Sequence, residues 1–224
     1  MTYEQYIAYH LRGDAGVEER MIASLCRNFR LEGFDAFRLV YFYTMTYHIP
    51  SALDMLTGER RMKALKFRTD RRYVRCNGAY DRLLRELTTD KYVRLCQVRT
   101  TEEAYKEVRS WFFFGRYAAY LFLEVWCNCF HPGWVDNLKP GWEPGENYTK
   151  GAESLARSKD RDELDKLLDR IKKDTGDNVF SIETSLCAVA KMDKGTRYDG
   201  YYAERMLEDA TGTAWESLIF FLAG

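Results

Sequence analysis

A chain of 224 residues that is 46% hydrophobic and 15% aromatic, with 34 basic and 34 acidic side chains, is not a disordered, fibrous or collagen-like polymer. At this length ~70% of the unfolded chain's surface can be buried, so a full core needs no disulfide or metal staple. Strand signals are scarce and apolar residues recur at helical spacing, so the expectation is all-α: a single globular helical domain over residues 1–224.

The first twenty residues carry Glu4, His10, Arg12, Asp14, Glu18, Glu19 and Arg20 where a signal peptide would need an unbroken apolar stretch. A cytoplasmic location is the resulting expectation. Leu39, Phe42, Tyr43 and Tyr47 mark one face of a helix from about Leu31 to His48, which Pro50 is expected to close. Residues 60–75 follow, with Arg60, Arg61, Lys63, Lys66, Arg68, Arg71, Arg72 and Arg75 against a lone Asp70. Thr100 and Glu103 have capping-box spacing and open a helix through Ala104, Tyr105, Val108 and Phe112.

The longest apolar tract, Trp111 to Phe130, is interrupted by Arg116 and Glu124, and no membrane partner is expected of it. Inside it, Gly115 costs a helix ~1 kcal/mol against alanine and needs a reason. Either a backbone or ligand approaches closely there, or the helix breaks and a new one starts at Arg116 with exposed amides that suit a phosphate. Residues 131–151 hold Pro132, Pro140, Pro144, Gly133, Gly141, Gly145 and Gly151, so a single long loop is expected, ordered by Trp134 and Trp142. Asp160 with Glu163 then caps a helix with apolar Leu164, Leu167, Leu168 and Ile171, ended by Gly176. Two more helices are expected, from about Val179 to Met192 and from about Tyr198 to Ala210.

Three constellations could carry chemistry. The cations of 60–75 suit backbone phosphates of DNA, with Phe67 and Tyr73 interleaved as stacking surfaces, although a solvated basic face has the same composition. Glu183 and Cys187 are four residues apart, hence on one helix face. A carboxylate bordering a buried face is a candidate general base, and the thiol is a candidate nucleophile or an ordinary core residue. Lys194, Arg197 and Arg205 alternate with Tyr198, Tyr201 and Tyr202 across a glycine turn, a mixture that suits phosphate oxygens and base faces as well as it suits packing. Six cysteines without a CxxC pair and three histidines offer no zinc-ligand spacing, so reduced thiols and no structural metal are expected.

The order FGRYAAY (114–120), SIETSLC (181–187) and KGTRYDGYYAER (194–205) resembles the phage amino acid:DNA transferases, also called the α-glutamyl/putrescinyl thymine pyrophosphorylase group. The resemblance spans roughly residues 30–210, and its ETSLC and RYxGYY blocks are the most specific. It implies a DNA base hypermodification enzyme that displaces pyrophosphate from 5-(pyrophosphoryloxymethyl)uracil with the amine of an amino acid or polyamine, on a helical fold akin to DNA glycosylases. Under that implication Arg116, Lys194, Arg197 and Arg205 would take the pyrophosphate. Glu183 would deprotonate the amine, and Cys187 would assist at the pyrimidine ring. Trp134, Trp142, Tyr198, Tyr201 and Tyr202 would stack on the base, and Arg60, Arg61, Arg68, Arg71, Arg72 and Arg75 would hold the DNA backbone. No cofactor is expected, although a divalent ion is compatible with pyrophosphate. The rival readings are a non-catalytic DNA-binding protein and a DNA glycosylase.

Overall fold

A computed structural model describes residues 1–13, 16–76 and 78–223, without the side chains of residues 69, 70 and 72. Its helices in chain order are α1 (Tyr3–Arg12), α2 (Val17–Asn28), α3 (Gly33–Thr46), α4 (Ile49–Leu56), α5 (Ala79–Glu86), α6 (Thr89–Gln97) and α7 (Thr101–Arg109). They continue with α8 (Arg116–Phe130), α9 (Asn147–Ala156), α10 (Arg161–Thr175), α11 (Val179–Met192), α12 (Tyr201–Ala210) and α13 (Glu216–Ala223). The fold is all-α: the described residues form no strand, only one isolated bridge between Thr100 and Val135. No helix among them is long and apolar enough to cross a membrane.

The chain divides into two compact units, one of residues Met1–Val17 and Asp136–Glu204, the other of Glu18–Val135 and Arg205–Gly224. In the first unit α11 packs on α9 and α10. Asp160 accepts hydrogen bonds from the amides of Asp162 and Glu163 at the start of α10, and Gly176 ends it in the left-handed conformation (φ 74°). Both follow from local chemistry, a side-chain acceptor for orphan amides and a residue without Cβ at a left-handed cap. Leu164, Leu167, Leu168 and Ile171 are buried, as their spacing requires. Asn178 caps α11 in the same way as Asp160 caps α10.

The expected loop is shorter than 131–151, because α9 starts at Asn147 and carries Gly151 inside it. The reason is tertiary: a Cβ on Gly151 would lie 2.1 Å from the Leu186 carbonyl oxygen of α11. Glycine is therefore what lets the two helix backbones approach. Gly151→Ala is expected to destabilise the protein by about 3 kcal/mol, the upper range for overpacking where backbone must move, and thermal denaturation measures it. Trp142 is buried and donates its indole N–H to Asp165 at 2.7 Å. The Tyr148 hydroxyl both accepts from the Glu143 amide and donates to the Pro140 carbonyl. These bonds order the loop, so Trp142 acts as its anchor to this unit and not as an open stacking face.

The second unit is built round α3, whose residues from Ala36 to Thr46 are buried except Arg38. Phe37, Trp111 and Phe122 meet edge to face at centroid distances of 5.1–5.7 Å, the arrangement ring quadrupoles favour. Thr100 and Glu103 close a full capping box on α7. α3 spans 33–46, narrower than the expected 31–48, and ends at a left-handed Tyr47 (φ 50°). Pro50 does not close that helix but sits in the first turn of α4, where its missing N–H costs nothing.

Candidate active site

Gly115 marks a break. Phe113 turns the chain with φ 66°, Gly115 is the extended N-cap, and Arg116 is the first residue of α8 with its guanidinium 4.5 Å from the Tyr120 ring centroid. Of the two reasons the sequence allowed for this glycine, the helix start is the one found.

Arg116 and Arg205 belong to the second unit, whereas Glu183, Cys187, Lys194 and Arg197 belong to the first. In that first unit Glu183 is buried on α11 and Cys187 is half-buried one turn on. Lys194 is exposed, its Nζ 3.4 Å from Asn147 Oδ1. Arg197 donates to the Tyr202 hydroxyl and lies 5.0 and 4.5 Å from the Tyr201 and Tyr202 ring centroids. Tyr202 is buried with Tyr9 and Ala188. Ala188 is five residues past Glu183, about 140° round a helix of 3.6 residues per turn, so Glu183 and the Tyr202 that holds Arg197 serve different sides of α11. Tyr198 is exposed, edge-on to Tyr201, and its hydroxyl donates to Glu204.

The basic segment is not one cationic face. It forms two short 3-10 turns, 62–64 and 69–75, and its arginines divide between core and solvent. Arg71 is buried, and Arg68, largely buried, pairs with Asp209 and donates to the Arg205 carbonyl. These two are corrections to the DNA-backbone set: both side chains are drawn out of solvent, Arg68 by partners distant in sequence. Arg60 lies 5.1 Å from the Phe42 ring centroid, Arg75 stacks on Phe67 and donates to the Leu65 carbonyl, and Arg61 forks onto Glu59. The Arg72 side chain lies outside the described residues. Exposed charge remains at Arg60, Arg61, Lys63, Lys66 and Arg75. If these exposed cations hold DNA, replacing Arg61, Lys63 and Lys66 by Glu weakens that binding and lowers the slope of log K against log salt by roughly one per lost phosphate contact; filter binding from about 50 to about 300 mM salt checks it.

A perturbed carboxylate of the second unit, which the amino-acid order shows only as charge, is Glu19, beside Glu18. Both occupy the first turn of α2 and are buried at 3% and 2% exposure. Arg205 grips Glu18 through two nitrogens, Nη2 to Oε2 at 2.8 Å and Nε to Oε1 at 3.3 Å. The Tyr43 hydroxyl donates to the same Oε2 at 2.9 Å. The Arg205 guanidinium also lies 4.9 Å from the Tyr47 ring centroid, and Tyr47 meets the exposed Tyr117 edge to face. Burial first, and the neighbouring Glu18 carboxylate second, push Glu19 up to about 7. Burial pushes both tyrosine hydroxyls well above their ordinary range, so they remain donors.

His48 stands nearby in sequence terms as the cap of α4: its Nδ1 accepts from the Ser51 amide at 3.2 Å, which leaves the proton on Nε2. Burial, then Arg68, holds its pKa down to about 3, so it is neutral. The result is a buried polar set in which Tyr117 of the first motif and Arg205 of the third both contact Tyr47, beside two carboxylates. Its chemical capacity is proton exchange near neutral pH at Glu19, beside a Glu18 carboxylate that Arg205 and the Tyr43 hydroxyl hold. The pair Glu18-Glu19 opening an amphipathic helix was the available signal, but side chains 187 residues away in the chain bury it. Among the described residues no group of three His, Cys, Asp or Glu side chains could hold a metal ion.

Comparison with family models, curated proteins and solved structures finds no match to this chain.

Proposed function

We propose that the chain is a DNA base-modifying transferase that replaces the pyrophosphate of 5-(pyrophosphoryloxymethyl)uracil with an amine from an amino acid or polyamine. The observation that carries the reading is the meeting of two of the resembling motifs at Tyr47: Tyr117 at its edge and Arg205 over its face, with Glu18 and Glu19 beside them. The reaction forms a bond from the amine nitrogen to the exocyclic methylene carbon, breaks that carbon's bond to oxygen, and releases pyrophosphate. The attacking nitrogen must lose a proton, and a carboxylate at about 7 is matched to accept it at neutral pH. Arg205 holds the neighbouring Glu18 through two hydrogen bonds. Arg116 at the start of α8 carries the guanidinium fork that suits the departing anion.

Incubation with DNA carrying pyrophosphorylated hydroxymethyluracil and a panel of amino acids and diamines, followed by digestion to nucleosides and mass spectrometry, tests the proposal. An aminomethyl adduct with pyrophosphate released is the expected product. Binding without turnover would favour a DNA-binding protein, the reading that the exposed cations at 60–66 support by themselves, and release of free base would favour a glycosylase.

A further inference from the structure

The second unit also contains a cleft of about 290 Å³, at the small end of ligand sites and so sized for one ring system. Its walls come from three places. Tyr92 and Cys96 stand on α6, Trp126 and Phe130 on the last turns of α8, and Arg99 and Trp134 on the segments that follow those helices. The rings of Trp126 and Phe130 are in contact, with centroids 4.2 Å apart. The Trp134 wall is held in place by main-chain bonds: the Val135 amide donates to the Arg99 carbonyl at 2.9 Å and the Thr101 amide to the Val135 carbonyl at 3.0 Å. This short parallel pairing explains why a proline- and glycine-rich loop carries a fixed indole at its start. Trp134 is half-buried and Arg99 is exposed, so an aromatic wall and a cation share one opening.

We propose that this cleft receives the base of an unpaired nucleotide, with the heterocycle stacked on Trp134 and its phosphate paired with Arg99. The aromatic walls offer a ring a stacking surface that a bare phosphate cannot use, and the Arg99 cation gives a phosphorylated ring the advantage over a neutral one. The choice of nucleotide as occupant rests on the DNA reading above; the cleft and its charge do not.

Isothermal titration with thymidine 5′-monophosphate, thymidine and inorganic phosphate tests it on the full chain. Saturable binding is expected for the monophosphate, weaker binding for the nucleoside, and none for phosphate. Trp134→Ala should weaken the monophosphate by about tenfold and Trp134→Phe should restore most of it. Arg99→Ala should bring the monophosphate down to the nucleoside's affinity. Absence of saturable binding by the wild type overturns the proposal, as does unchanged affinity in Trp134→Ala or equal binding of phosphate alone. The half-buried Trp134 and exposed Arg99 are replaceable without opening the core, and circular dichroism verifies each variant. Product in the transferase assay without nucleotide binding would remove this proposal alone; nucleotide binding without product would remove the transferase reading alone.

Discussion

Glu19→Gln is expected to make the protein more stable at about pH 8 and, on the transferase proposal, to abolish product formation. Glu19 is raised from about 4.5 in an unfolded chain to about 7 in the fold, so the folded protein holds a proton that the unfolded chain gives up. The stability this contributes is complete below about pH 4.5 and is lost as pH rises through about 7. Above that, the wild type carries a second buried carboxylate charge beside Glu18 at a cost of about 3 kcal/mol. Glutamine has the shape of the protonated acid and escapes that cost. Thermal melts should therefore coincide at about pH 4, below the unfolded value, and diverge at about pH 8, with the variant higher by roughly 6–12 °C for a chain of this size. His48 acts with the opposite sign: held near 3 in the fold, it contributes stability present above pH 6.5 and lost as pH falls. The wild-type profile between pH 4.5 and 6.5 is thus flattened, and the variant should expose the histidine slope. Coincident melts at pH 8 would mean that Glu19 is not a buried acid, and retained turnover would mean that it is not the base.

Arg205→Met should be the most damaging single change in the second unit. It removes the fork on Glu18 and the cation over Tyr47, leaving a fully buried carboxylate with one tyrosine donor. Breaking a buried ion pair on one side costs about 3–5 kcal/mol. Changing Glu18 to Gln at the same time removes the stranded charge, so the double variant should recover most of the loss. Urea denaturation of the four proteins of this cycle gives the coupling energy directly. Arg205 is also among the charges that hold Glu19 down, so its loss should move the pH midpoint of the wild-type stability curve upward. A single variant within about 0.5 kcal/mol of wild type, the scatter of independent changes, would show that the pair is not buried.

The features legible in the amino-acid order are those whose cause lies within one helical turn. α10 runs from the Asp160 cap to the Gly176 stop, α7 opens on its Thr100 and Glu103 box, and α11 spans 179–192, because a cap needs only a side chain and the amides two or three residues on. Hydrophobic spacing likewise identified the buried face of α10. Charge was read less well. Arg68 and Arg71 look identical to Arg61 along the chain, yet two are drawn inward and one is solvated.

The amino-acid sequence alone established an all-α chain, the caps of its helices and the residues available for acid, cation and ring chemistry, since composition and short-range hydrogen bonding do not depend on what packs where. Packing between distant segments determined the rest. A helix interior accepted Gly151 because the Leu186 backbone lies against it, and a surface-seeming glutamate became a buried acid because Arg205, Tyr43 and Tyr47 enclose its neighbour. Desolvation and close approach are properties of the folded neighbourhood, and neither leaves a trace in local spacing.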